Sequence, residues 1–222
     1  IVTNHSLHVY AGQPTLDLAG FDYSLTNSLK TTNQEVGIWV EKGHLTVTNS
    51  ASTPAIFGSN DTLCASLYQP WNAPVGKVEF AGSNTLVRLR NIRVNNATSA
   101  NTSRHALHIV NGAKVTTSPG STLTSGGDIL VSDPGTVLTA SGMFLSAGGI
   151  TTVSNQAVLT VGAGNIEVGR PQRAYFYVTD PGTMVSAGNV VLATADIATY
   201  GLMVVTNGGM LTVTNSGGSK IW

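Results

Sequence analysis

Val131-Ser-Asp-Pro-Gly-Thr136 and Val178-Thr-Asp-Pro-Gly-Thr183 are the same phrase written twice, 47 residues apart. The echo continues, because Ser141-Gly142 and Ala187-Gly188 follow and lead into Phe144-Leu145 and Val191-Leu192. Halving the interval exposes a shorter unit. A Val followed by a small turn cluster recurs at Val110-Asn-Gly, Val131-Ser-Asp, Val153-Ser-Asn, Val178-Thr-Asp and Val205-Thr-Asn, at spacings of 21, 22, 25 and 27 residues. Each cluster opens onto an apolar-alternating run: Lys114-Val-Thr-Thr, Thr136-Val-Leu-Thr-Ala, Ala157-Val-Leu-Thr-Val, Thr183-Met-Val-Ser-Ala and Met210-Leu-Thr-Val-Thr.

Between the clusters lie Asp128-Ile-Leu-Val, Met143-Phe-Leu-Ser, Ile150-Thr-Thr-Val, Asn165-Ile-Glu-Val and Asn189-Val-Val-Leu. These runs are short, β-branched and alternating, as strands with one inward face must be. Gly-Gly pairs at 126–127, 148–149 and 208–209, with Asp-Pro-Gly at 133 and 180, supply the turn conformations. No stretch carries a capped 3.6-residue stripe, so the chain reads as all-β. Three short strands per ~22-residue coil predict a right-handed parallel β-helix, a β-solenoid. A propeller, with four strands per blade of about 40–45 residues, is the competing reading of the 47-residue interval. The half-period and the unequal turns favour the coil, in which a longer turn simply bulges outward. Nine or ten coils would make a rod roughly 45 Å long.

One domain is expected over 1–222. Residues 1–35 read as an N-terminal strand and cap region, 36–105 as irregular coils with insertions at 50–74 and 95–105, and 106–218 as regular coils. Coil geometry is expected from about residue 36, because Val36–Asn49 echoes Leu202–Asn215. The Val-x-Asp-Pro-Gly-Thr…Leu…Gly-Gly pattern, with its Gly-Gly-x-Leu-Thr-Val-Thr-Asn ending, resembles the β-helical repeats of bacterial autotransporter passengers and related secreted or surface proteins. The resemblance covers residues 106–218 well and 36–94 loosely. It implies a fold and an exported life, and it carries no catalytic residues with it.

Composition narrows the classes. The 222 residues hold 11 basic and 11 acidic side chains, and 10% charged content is low against an ordinary ~25%. Zero net charge argues against nucleic-acid binding. Positive mean hydropathy argues against disorder, although Thr, Ser, Asn and Gly total 90 residues. No apolar run is long enough to span a bilayer as a helix. The single cysteine, Cys64, excludes an intrachain disulfide and reads as a small core residue. The chain opens at Ile1 without a signal-peptide pattern, so it reads as matured or excised from an exported precursor.

Chemistry is sparse. Residues 110–222 hold five acids: Asp128, Asp133, Glu167, Asp180 and Asp196. Asp133 and Asp180, two coils apart, would stand near the separation of an inverting glycosidase pair. Their Asp-Pro-Gly context instead reads as turn residues bonding local backbone amides. His105-x-x-His108 would put its imidazoles on opposite faces of a strand, and no calcium-loop spacing occurs, so no metal or cofactor is expected. Thr46/Thr48 and Thr212/Thr214 would suit an ice-ordering grid only if such pairs recurred on most coils. They do not. Asn4, Asn60, Asn96 and Asn101 are sequons that matter only in a eukaryotic host.

The leading expectation is a non-enzymatic extracellular structural protein whose partners are copies of itself, joined head to tail into a filament, stalk or matrix. The strand-like, weakly charged ends would carry the contact through Ile1, Val2, Leu7 and Val9 at one side, and Leu211, Val213, Ile221 and Trp222 at the other. The alternative is a glycan-binding adhesin or polysaccharide-active module. Its site would use Tyr68 and Trp71 with Arg88 and Arg90, which are expected to share a strand face beside Arg93.

Overall fold

The computed structural model describes residues 2–4, 7–25, 29–31, 34–40, 42–58, 67–69, 75–94, 104–169, 172–192 and 200–215. Among these residues there are only strands, turns and bends, and nearly every strand pairing is parallel. Alternation dictates this locally. In Ala174-Tyr-Phe-Tyr-Val178, Ala174, Phe176 and Val178 are buried and both tyrosines are half-exposed. Parallel neighbours cannot be joined by a tight hairpin, so each strand must find its partner one long excursion later.

In chain order the strands fill three columns in rotation. Val2–Asn4, Leu7–Val9 and Thr15–Asp17 begin columns A, B and C, and Tyr23–Leu25, Ile38–Val40 and Gly43–Thr48 lie parallel against them. Next come Ala55–Gly58, Leu67–Gln69 and Gly76–Ala81, then Thr85–Leu89, Ile92–Val94 and Ala106–Val110. Lys114–Thr117, Thr122–Ser125 and Asp128–Ser132 follow, and then Val137–Thr139, Gly142–Leu145 and Ile150–Ser154. Val158–Val168 and Met184–Leu192 each run through both A and B, with a register shift between Val161 and Asn165. Ala174–Val178 and Gly201–Val205 continue C, and Met210–Val213 is the last described strand of A. Columns A and B therefore form one 15-stranded sheet and C a separate eight-stranded sheet.

Circuit length differs along the chain. Residues bonded across successive circuits are 22, 25 and 27 apart where Asp133, Asp180 and Asn207 take part. They are 29 to 35 apart around Gly76, Asn84 and Asn49. Two expectations are revised. The rotation is already running at Val2–Asn4, not first near residue 36, and the antiparallel pair Leu29–Thr31 with Gln34–Val36 interrupts it between A and B. The segment 50–74, read as one insertion, contains the strands Ala55–Gly58 and Leu67–Gln69, with Phe57 fully buried. Three prolines made that segment look like loop, whereas the phenylalanine fills an inner line. Most of the expected 95–105 insertion lies outside the described residues.

The core consists of inner lines, one per column. In A, Phe57, Val87, Val115, Leu138, Leu159 and Val185 stack in continuous register, each at most 1% exposed. Each such side chain contributes ~1.5–3 kcal/mol by leaving water. Near the N-terminal side aromatics widen the core: the Tyr23 and Phe57 rings stack at 5.7 Å, and Phe57 and Phe80 meet tilted at 6.1 Å.

Candidate functional site

The corner between columns C and A accounts for the two repeated acids. Asn111, Asp133, Asn155, Asp180 and Asn207 all adopt left-handed φ between 49° and 84°, as Asn and Asp do most readily after Gly. Asp133 accepts the backbone N–H of Asn111 at 3.0 Å through Oδ2 and the side-chain amide of Asn155 at 2.9 Å through Oδ1. Asp180 does the same two circuits on, accepting Asn155 N–H at 3.1 Å and Asn207 Nδ2–H at 2.8 Å. The amides are thus those of neighbouring circuits, not the local ones expected. Behind them Thr136 and Thr183, fully buried, accept N–H groups of Gly112 and Gln156. A hydrolytic pair needs water between its carboxyls. Between Asp133 and Asp180 stands Asn155.

Of the four residues assigned to a glycan site, the three described ones lie on different elements. Arg88 points outward from column A, opposite Gly58 and Thr116. The strand ends at Leu89, so the exposed Arg90 sits on the following bend and does not share the strand face. Tyr68 belongs to column B, where its backbone pairs with Trp39 on one side and Arg93 on the other. Trp71 lies outside the described residues. What converges is therefore a column B line: His8, Trp39, residue 68 and Arg93 on successive circuits. His8 is edge-on to Trp39 at 5.4 Å and to Tyr10 at 4.3 Å.

Column C carries the charged cluster. Its outer positions bring His44, Lys77 and Glu79 together with His108 across three circuits. Glu79 Oε2 takes Lys77 Nζ at 2.8 Å and lies 3.7 Å from His44 Nε2 and 3.9 Å from His108 Nδ1. Both imidazoles are held below their ordinary pKa, first by burial and then by the Lys77 charge, against the pull of Glu79. Farther along, Arg104 pairs with Asp128 at 3.2 Å. His105 faces the opposite way from His108 and is fully buried. Among the described residues no group of three or more His, Cys, Asp or Glu is placed to hold a metal ion.

Past Asp128 the same outer face changes character. Tyr175 stands in register between Ile150 and Leu202, and Tyr177 between Thr152 and Val204. Tyr200, 44% exposed, meets Tyr175 edge-on at 5.8 Å. Sequence reading passed over these tyrosines, although Tyr-x-Tyr inside an alternating strand is the signal for two rings on one face.

At both ends of the described stack the core is incompletely covered. Leu7, Leu16 and Tyr23 at one side pack on the core yet remain partly exposed, as do Leu192, Met203, Leu211 and Val213 at the other. A cavity of about 560 Å³ opens between Leu7–Val9 and Thr15–Asp17, lined by Tyr10, Pro14 and Leu45 among others. Val9 is buried, and Val2 is placed by its pairing with Tyr23. Ile1, Ile221 and Trp222 lie outside the described residues. Among the described residues no helix is long and apolar enough to cross a membrane. No protein family, curated protein or solved structure matches the chain.

Proposed function

We propose that the chain is a right-handed parallel β-helix, one domain over 1–222, acting outside the cell as a non-enzymatic structural subunit that stacks head to tail with its own copies. Three-column rotation with parallel pairing supports the β-helix, and parallel crossovers are right-handed in about 98% of cases. The resemblance to exported passenger repeats supports the location. The carrying observation for assembly is the pair of unlike, partly uncovered core ends: Leu7, Leu16 and Tyr23 against Leu192, Met203, Leu211 and Val213. Open strand edges above an apolar core are templates for further strands, and two unlike ends make a contact that propagates. The engaged carboxylates of Asp133 and Asp180 favour a scaffold over an enzyme, and the role calls for no cofactor.

The test is light scattering and negative-stain electron microscopy of the 222-residue chain over a rising concentration series. Rods growing in length, and lost on Leu16→Glu or Leu211→Glu, are expected. A monomer at every concentration sinks the assembly reading.

A second reading, an acidic-glycan contact at the A/B edge, is favoured by the register that sets residue 68 directly beside Arg93, with Arg88 and Arg90 exposed on the preceding strand and bend. Retention on heparin or polygalacturonate that disappears in Arg88→Ala/Arg93→Ala is its expected signature. Equal retention of the variant rules it out.

A further inference from the structure

We propose that the outer face of column C between Ile150 and Val204 is a binding site for a neutral polysaccharide. The reading depends on side-chain register alone and holds whether or not copies of the chain stack.

Strand alternation puts Tyr175 and Tyr177 two residues apart on the outside of one strand, while Phe176 between them is fully buried and fixes the backbone. Register surrounds the pair with an apolar shelf, Ile150 and Leu202 beside Tyr175, Val204 beside Tyr177. Tyr200 braces Tyr175 from the side, its ring plane inclined by 77°. A braced aromatic ring has little rotamer freedom left to lose on binding.

Charge then decides the ligand class. The outward positions of Ile150–Ser154, Ala174–Val178 and Gly201–Val205 include no Asp, Glu, Lys, Arg or His. Charges flank the shelf: Asp128 accepts the Ile150 N–H at 3.1 Å and is paired with Arg104, and Arg173 and Asp180 stand before and after the central strand. An anionic polymer would find no counter-charge on the shelf itself. A purely apolar partner would have to bury the phenol hydroxyls, Thr152 and the adjoining hydroxyl row. That row runs along the C-terminal edge of the face: Ser132 and Ser154, bonded to each other at 3.2 Å, then Thr179 and Thr206 just past the next two strands, with Ser132 and Thr179 also donating to the Asp133 and Asp180 carboxylates that border the row.

Apolar ring faces beside a line of uncharged hydroxyls are the complement of a sugar, which has a C–H face and a hydroxyl rim. The rows repeat every ~4.8 Å along the stack. That step is close to the length one pyranose adds to an extended chain, so successive residues of a linear glycan running along the stack would meet Ile150, Tyr175 and Leu202, or Thr152, Tyr177 and Val204.

The experiment is affinity electrophoresis of the full chain in gels holding hydroxyethylcellulose, laminarin or galactomannan, with polygalacturonate as the acidic comparator. Retardation by at least one neutral polymer is expected, about tenfold weaker in Tyr175→Ala or Tyr177→Ala and largely kept in Tyr177→Phe, which retains the ring. Both tyrosines point out of the core, so an unchanged melting transition certifies the fold of each variant. The proposal is overturned by no retardation in all three neutral gels, by retardation in polygalacturonate alone, or by Ala variants that bind as the parent does. It is overturned equally if the Ala variants dissolve a dimer seen by light scattering, because the face would then be a contact between copies.

Discussion

The buried imidazole of His105 accepts the backbone N–H of Gly76 through Nδ1 at 2.9 Å, tying the entry of one column C strand to the entry of the next. Gly76 opens its strand packed against Val40. Replacing His105 with Leu removes this buried acceptor, a loss of about 1–3 kcal/mol. Urea unfolding of His105→Leu against the parent measures it. A midpoint equal to the parent's would mean that the bond contributes nothing.

Leu138 lies directly between Val115 and Leu159 in the inner line of column A and is fully buried. Leu138→Ala should cost ~2–5 kcal/mol, from lost burial and the cavity left behind. An unshifted denaturation midpoint would contradict the inner line as described.

Acid should weaken the fold before the carboxylates titrate. His44 and His108 have folded pKa values below the unfolded 6.5, so the unfolded chain binds protons first. Their contribution is complete above pH 6.5 and is lost as the pH falls from there toward the folded values. Melting temperatures should be level above neutrality and fall on the way to pH 5. In His44→Gln/His108→Gln that fall should shrink, and an undiminished fall would assign it to other groups.

Gly58 sits at φ +115° opposite Arg88, and a Cβ there would run into the Arg88 carbonyl oxygen. Both the conformation and the contact forbid a side chain. Gly58→Ala should therefore cost about 1–3 kcal/mol in thermal unfolding, and a neutral result would show that column A can shift at this position.

The strands of the second half were legible because each run of Val, Leu, Ile and Thr alternates cleanly between Gly, Asn or Asp-Pro-Gly turns. What alternation cannot supply is which circuit lies beside which. His44, Glu79 and His108 come from three separate circuits, so no local window shows them as a cluster. Arg88 and Arg90 looked like face-mates because parity in sequence survives a bend that ends the strand. Phe57 was hidden by surrounding prolines, although its packing with Tyr23 and Phe80 anchors the N-terminal core. The 47-residue interval separates Asp133 from Asp180, whose amide partners lie 22 to 27 residues away in sequence, so the cause of the repeat lay in contacts that no local window shows.

That cause restricts how such a chain can change length. At the C/A corner the rungs run Asn111, Asp133, Asn155, Asp180, Asn207, and each carboxylate is met by amides from both sides. Deleting the single circuit that carries Asn155 would set Asp133 against Asp180, two like charges with no donor between them. Deleting the circuit that carries Asp180 would set Asn155 against Asn207 and remove the acceptor both rely on. Only the loss or gain of two circuits together preserves the alternation. Growth of this molecule by duplication is therefore quantised in pairs of circuits, and an odd step carries a mismatch that must be repaired by a second substitution.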